Sequence, residues 1–167
     1  MALVPACESP VAPDSQPPER FGALTALING RAWVSSYFPD SAIAFYGRSS
    51  GFLQLTGQEV RSGSWPTLQF FVRQGATAAS YHIGDPSGEV HGEWFTERRE
   101  NRPRALGGNL QAYFSTGATP DSLVIEELDL AGRRIRGRFG FAARELYGWQ
   151  RVSIVGRFAG RVRVVDD

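Results

Sequence analysis

The stretch LVIEELDLAGRRIRGRFGF, Leu123 to Phe141, alternates apolar and polar side chains on both sides of a glycine-containing turn. A period of two sends successive side chains to opposite faces of a strand, so the stretch predicts two half-buried strands joined as a hairpin. The three-residue loop Leu130-Ala-Gly132 suits a type I turn closed by a left-handed residue. That register sets Leu123, Ile125 and Glu127 opposite Phe139, Gly137 and Ile135, and Glu126 across from Arg136. One face is then core and the other a solvated charge ladder.

The same grammar extends in both directions. Phe21 to Ile28 runs into Asn29-Gly30, the dipeptide best suited to the positive φ angles of a type I′ turn, and Arg31 to Val34 returns. A long strand is expected from Val152 to Phe158, with Val152, Ile154, Gly156 and Phe158 on one face. Its Gly156-Arg-Phe158 echoes Gly137-Arg-Phe139, too short an echo to mark a repeat architecture. Further strand candidates are Ala42–Tyr46, Phe52–Thr56, Leu68–Arg73, Ser80–Ile83, Glu89–Phe95 and Leu110–Phe114, separated by turn clusters such as Gly84-Asp-Pro-Ser-Gly88. No apolar period of 3.6 persists over three turns. The chain therefore reads as an all-β domain, an antiparallel β-sandwich of about nine to eleven strands, with a closed β-barrel as the alternative.

Five of the ten prolines fall in the first 19 residues, where the charges Glu8, Asp14 and Glu19 are all acidic and aromatics are absent. Residues 1–20 are accordingly expected to form a disordered proline-rich tether, with a single domain over 21–167. The 18 basic and 17 acidic residues leave a net charge of +1, so no whole-molecule field draws in nucleic acid, and none is expected as a partner. Every basic residue is arginine, which removes phosphate-loop, Schiff-base and Ser-Lys chemistry. The single cysteine excludes an internal disulfide and any zinc site built on cysteine pairs. No apolar run reaches the roughly 18–20 residues of a transmembrane helix.

Several patterns together carry a resemblance. Phe21-x-Ala23-x-x-Ala26-x-Ile28-Asn29-Gly30-x-x-Trp33, Ile125-x-x-Leu128-Asp129, Ile135-x-Gly137-x-Phe139-x-Phe141 and Val152-x-Ile154-x-x-x-Phe158 are similar to a family of small secreted or lipid-anchored domains of unknown function common in Bacteroidota. The resemblance implies an all-β domain that follows a lipoprotein signal peptide and is exported to the cell envelope. It implies no reaction.

Cys7 fits that setting. Val4-Pro5-Ala6 precedes it with small residues at −3 and −1, as before a lipid-modified cysteine, although proline at −2 is unusual and no basic and apolar leader stands ahead of it. Cys7 is read as a lipid anchor whose signal peptide is missing from this sequence. A chance cysteine, a start placed too far downstream or a wrongly trimmed chain are the alternatives.

Three constellations are candidates for chemistry. His82, Glu89, His91 and Glu93 could converge from neighbouring strands as a metal-dependent hydrolase site, while a plain polar outer face alternating with Val90 and Trp94 needs only the strand itself. Trp65, Tyr147 and Trp149 fall at strand ends or in loops, where flat rings could stack on sugars beside arginines such as Arg134 and Arg136. Thr96 to Arg104 is the densest basic stretch, but Glu97 and Glu100 interrupt it, and it reads as a loop. The G-x-S-x-G, G-x-G-x-x-G and H-E-x-x-H motifs are all missing, so the expectation is a non-enzymatic binding or structural module without a cofactor. Its runner-up readings are a glycan or small-ligand binder and the hydrolase.

Overall fold

The computed structural model describes residues 17–35, 42–59, 66–97, 110–118 and 120–166. Cys7, Trp65 and most of Thr96–Arg104 lie outside them. Eleven strands and no helix occur among the described residues: β1 Ala23–Ile28, β2 Arg31–Val34, β3 Ala44–Gly47, β4 Leu53–Gln58, β5 Thr67–Val72, β6 Ser80–His82, β7 Val90–Glu97, β8 Leu110–Ser115, β9 Ser122–Asp129, β10 Arg134–Glu145 and β11 Arg151–Val165.

The pairings divide into two layers. One runs β2-β1-β11-β10-β9-β6 and the other β3-β4-β5-β7-β8. The layers are stitched at two corners by the two longest strands. β11 pairs with β1 and β10 through most of its length and then with β3 from Val162. β10 pairs with β9 up to Gly140 and with β8 from Ala143. A ring of hydrogen-bonded strands results, flattened around one core in a sandwich-like arrangement. Among the described strands, all pairings are antiparallel except β3 with β11.

The core follows from the alternation. Phe70 on β5 meets Phe139 and Phe141 on β10 at centroid distances of 4.6 and 5.4 Å, so the two layers touch through aromatic rings. Trp33 and Trp94, each 5% exposed, meet edge to face at 5.4 Å across the same interior. Each ring removes its full apolar area from water, roughly 25 cal/mol for every Å² buried.

The two Gly-Arg-Phe triplets meet in antiparallel register, Gly137 opposite Phe158 and Phe139 opposite Gly156. Each phenyl ring lies over the other strand's glycine. A Cβ on Gly137 would stand 2.6 Å from Phe158 Cζ, and one on Gly156 would stand 2.5 Å from Phe139 Cζ. The echo in the sequence is thus a reciprocal packing lock, in which a missing side chain makes room for an opposing ring.

Both anticipated hairpins form. Asn29 and Gly30 take φ of 49° and 76°, as a type I′ turn requires. In the β9–β10 hairpin Leu123 faces Phe139 and Ile125 faces Gly137 as expected, but the register shifts between Arg136 and Gly137. Glu127 therefore faces Arg136, and Leu128 rather than Glu127 faces Ile135. The cause is the spacing Leu123, Ile125, Leu128: a bulge at Glu126 turns Leu128 inward and leaves both glutamates outside. The loop correspondingly has four residues, with Arg133 at φ 54°.

Where β10 leaves β9 for β8, its backbone needs other partners. The Ala142 N–H donates to Asp121 Oδ1 at 3.1 Å, and the Ala142 carbonyl accepts from the Thr116 N–H at 3.1 Å. Asp121 thus stands in for a missing strand neighbour at the corner.

Candidate functional site

Beside that corner, the outer faces of β8 and β10 and two overhanging turns enclose an open cleft of about 570 Å³. Phe114 and Ala142 contribute an apolar floor, Arg144 and Arg151 stand along one side, and Asp85 and Pro86 of the β6–β7 turn overhang the cleft. A hollow of about 290 Å³ adjoins it, lined by Arg144 to Trp149, which form the tip of the β10–β11 hairpin.

The tip is unusual for its exposure. Tyr147 and Trp149 are 94% and 93% exposed, and Leu146 is 51% exposed. Its base is nevertheless held firmly. Tyr113, itself in the core, donates its hydroxyl to Gln150 Oε1 at 3.0 Å, Gln111 Nε2 donates to Glu145 Oε1 at 3.2 Å, and the Leu146 N–H donates to the Ala112 carbonyl at 2.8 Å. Two flat rings are therefore presented on a braced base, which keeps down the entropy lost when a ligand binds them.

Polar groups around the cleft are of both signs. Arg144 and Arg151 face each other across the ribbon, and neither forms an ion pair with another described residue. Asp85 accepts from the Ser87 hydroxyl and N–H, and these bonds hold its carboxyl below the ordinary aspartate value, with the Gly88 N–H and His91 adding to the effect. It is an ionised acceptor in the overhanging turn. An aromatic surface beside fork-shaped donors and a carboxylate acceptor matches the two sides of a sugar, with apolar C–H faces and a rim of hydroxyls.

Of the sequence candidates, Tyr147 and Trp149 stand together here. Arg134 and Arg136 do not: they lie near the other end of β10, ten and eight residues from Arg144, or roughly 33 and 26 Å along a strand. Arg136 pairs with Glu127 at 3.3 Å, and Glu126 pairs with Arg138 at 3.5 Å. Sequence reasoning missed Arg144, Arg151, Phe114 and Asp85. For the arginines a signal was present, since Arg144 and Arg151 bracket Leu-Tyr-Gly-Trp at hairpin spacing.

The proposed metal cluster does not assemble. No group of three or more His, Cys, Asp or Glu among the described residues could hold a metal ion. His91 and Glu93 come together, with Nε2 3.4 Å from Oε1, but His82 sits on the edge strand β6 with Nδ1 3.1 Å from the Asp121 carbonyl. Glu89 accepts from Gln74 instead, at 3.5 Å. Val90 and Trp94 point inward as expected, but His91 is not on a solvated face. It is 6% exposed and stacks on Phe71 at 4.8 Å.

No family model matches the chain, and no curated protein or solved structure is similar to it.

Proposed function

We propose that the protein is a non-enzymatic carbohydrate-binding module of the cell envelope, with the cleft and hairpin tip as its site. The observation that supports this most is Tyr147 and Trp149 standing in solvent on a braced hairpin, beside two arginines free of ion pairs with described residues. Burying a large apolar ring on binding a sugar face regains the free energy that exposure forgoes. Arg144 and Arg151 donate to sugar oxygens, Asp85 accepts from hydroxyls, and Phe114 supplies apolar contact deeper in the cleft.

The envelope setting draws on the small-residue box before Cys7 and on the Bacteroidota resemblance. Radiolabelled palmitate fed to cells expressing the gene with its upstream DNA checks it: label should enter the wild type and be lost in Cys7→Ser. Binding is checked by isothermal titration with a panel of neutral and acidic oligosaccharides. At least one should bind wild type and lose at least about tenfold in affinity with Trp149→Ala, an aromatic contact being worth about 1.5 kcal/mol beyond its area at most. Binding unaffected by Trp149→Ala, Tyr147→Ala and Arg144→Gln alike would remove this site from the reading.

A further inference from the structure

Beyond the hairpin tip, the distribution of arginine on β10 and β11 is itself unusual. The two strands carry eight arginines, Arg134, Arg136, Arg138, Arg144, Arg151, Arg157, Arg161 and Arg163, against one carboxylate, Glu145. The whole chain is nearly neutral. Strand alternation puts seven of them on the outer face of the ribbon, where Ala159 is also buried, and Arg163 follows on the same side of β11 where it pairs with β3.

Their register matters more than their number. Arg134 lies opposite Arg161, Arg138 opposite Arg157 and Arg144 opposite Arg151. Like charges directly across a strand pair destabilise a sheet, and while Arg138 is met by Glu126, the Arg134–Arg161 and Arg144–Arg151 pairs have no carboxylate among the described residues, so folding alone gives no reason for them. Carboxylates from β9 meet only part of the array, Glu127 with Arg136 and Glu126 with Arg138. Arg134, Arg144, Arg151, Arg161 and Arg163 form no ion pair with any described residue. Between the Arg144 and Arg138 pairs the outer face carries Gly140, Ala142, Ser153 and Val155, a low floor without charge.

We propose that the ligand is an acidic polysaccharide, one end seated in the cleft and the chain continuing along the outer face of the β10–β11 ribbon over these cross-strand arginine pairs. This rests on the carbohydrate reading above and adds the ligand's charge and its path. Guanidinium groups match carboxylate or sulfate with paired N–H donors, and two opposed arginines lose their mutual repulsion when an anion lies between them. A ligand of repeated negative charge accounts for paired cations at intervals along a strand. A neutral glycan would need the aromatic tip alone.

The test is isothermal titration of the full chain with four probes: polygalacturonate, a short galacturonate dimer, a neutral polysaccharide, and single-stranded DNA of matched charge. Wild type should bind polygalacturonate best, more weakly as salt rises. The double variant Arg134→Gln/Arg161→Gln, changed far from the cleft at exposed positions, should lose about tenfold or more for the polymer, as expected when charge-assisted hydrogen bonds are lost. It should bind the dimer as wild type does, and an unchanged melting temperature excludes misfolding. Equal affinity for neutral and acidic polymer, with loss on Trp149→Ala, would overturn this inference and leave the carbohydrate reading standing. DNA binding as tight as polygalacturonate, or a polymer affinity indifferent to the double variant, would also overturn it. If no saccharide binds, both readings fail.

Discussion

Between Ile135 and Phe141 the β10–β11 ribbon hides every aromatic and aliphatic side chain of its inner face, whereas five residues further on Leu146, Tyr147 and Trp149 stand largely in solvent. Both regions belong to one hairpin and are rich in aromatics and arginine, the first within the ladder and the second beyond its last pair, Arg144 with Arg151. In the middle, Phe139 and Phe158 each have a glycine opposite and lie near-parallel at 6.4 Å, and Phe139 and Phe141 meet Phe70 of the facing layer. At the tip the rings have no partner in the core, yet the backbone beneath them is tied down by Gln111, Tyr113 and Gln150. Aromatic residues in the first region hold the fold together. Those in the second are supported by the fold without contributing to it.

That contrast can be broken by substitution. The largest effect should come from Phe158→Ala, which leaves a cavity over Gly137 and should cost about 3–5 kcal/mol in denaturant melts. Gly137→Ala overfills the same lock and also drives its Cβ into the Val124 carbonyl of β9, and should cost at least about 1–3 kcal/mol. If both changes were tolerated with little loss, the middle of the ribbon would not be the structural region described. Asp121 lies between the two regions, at the corner. Asp121→Ala strips the partly buried Ala142 N–H of its acceptor and should cost about 1 kcal/mol or somewhat more.

Asp121 also makes a prediction about pH. Burial raises its carboxyl above the usual 3.8, opposed by the Ala142 N–H and by His82. The native state therefore holds this proton more tightly than the unfolded chain does. The resulting stabilisation is complete below 3.8 and is lost as pH rises through the raised native value. Asp121→Asn, which cannot titrate, should flatten that part of the stability profile as measured by urea melts from pH 3 upward. A profile identical to wild type would refute it. At the small end, Arg136→Ala should cost no more than about 1 kcal/mol, because its pair with Glu127 is solvent-exposed. Trp149→Ala should change stability by no more than about 0.5 kcal/mol.

The same contrast separates what was legible in the sequence from what was not. Asn29-Gly30 and the alternation of Leu123 to Phe141 act over a few residues, and both hairpins followed from them. The bulge at Glu126 was written in the spacing of Ile125 and Leu128, but read as strict alternation it put Glu127 opposite Ile135. β11 runs on to Val165, past its expected end at Phe158, because its last residues pair with β3, more than a hundred positions away. Such a long-range pairing leaves no local trace. The two corners, and with them the cleft, arise where β10 and β11 change partners. For that reason Arg144, Phe114 and Asp85 could not be joined from spacing, while Tyr147 and Trp149 could be suspected from their place in a loop. His91 on an alternating strand read as a polar outer face, whereas its stacking on Phe71 depends on which strand lies alongside.

The most direct test follows the indole N–H signals by nuclear magnetic resonance while a bound saccharide is titrated in. The account predicts that the Trp149 indole shifts with the binding curve while those of Trp33 and Trp94, buried in the core, stay in place. A saccharide that binds and leaves Trp149 unmoved would contradict it.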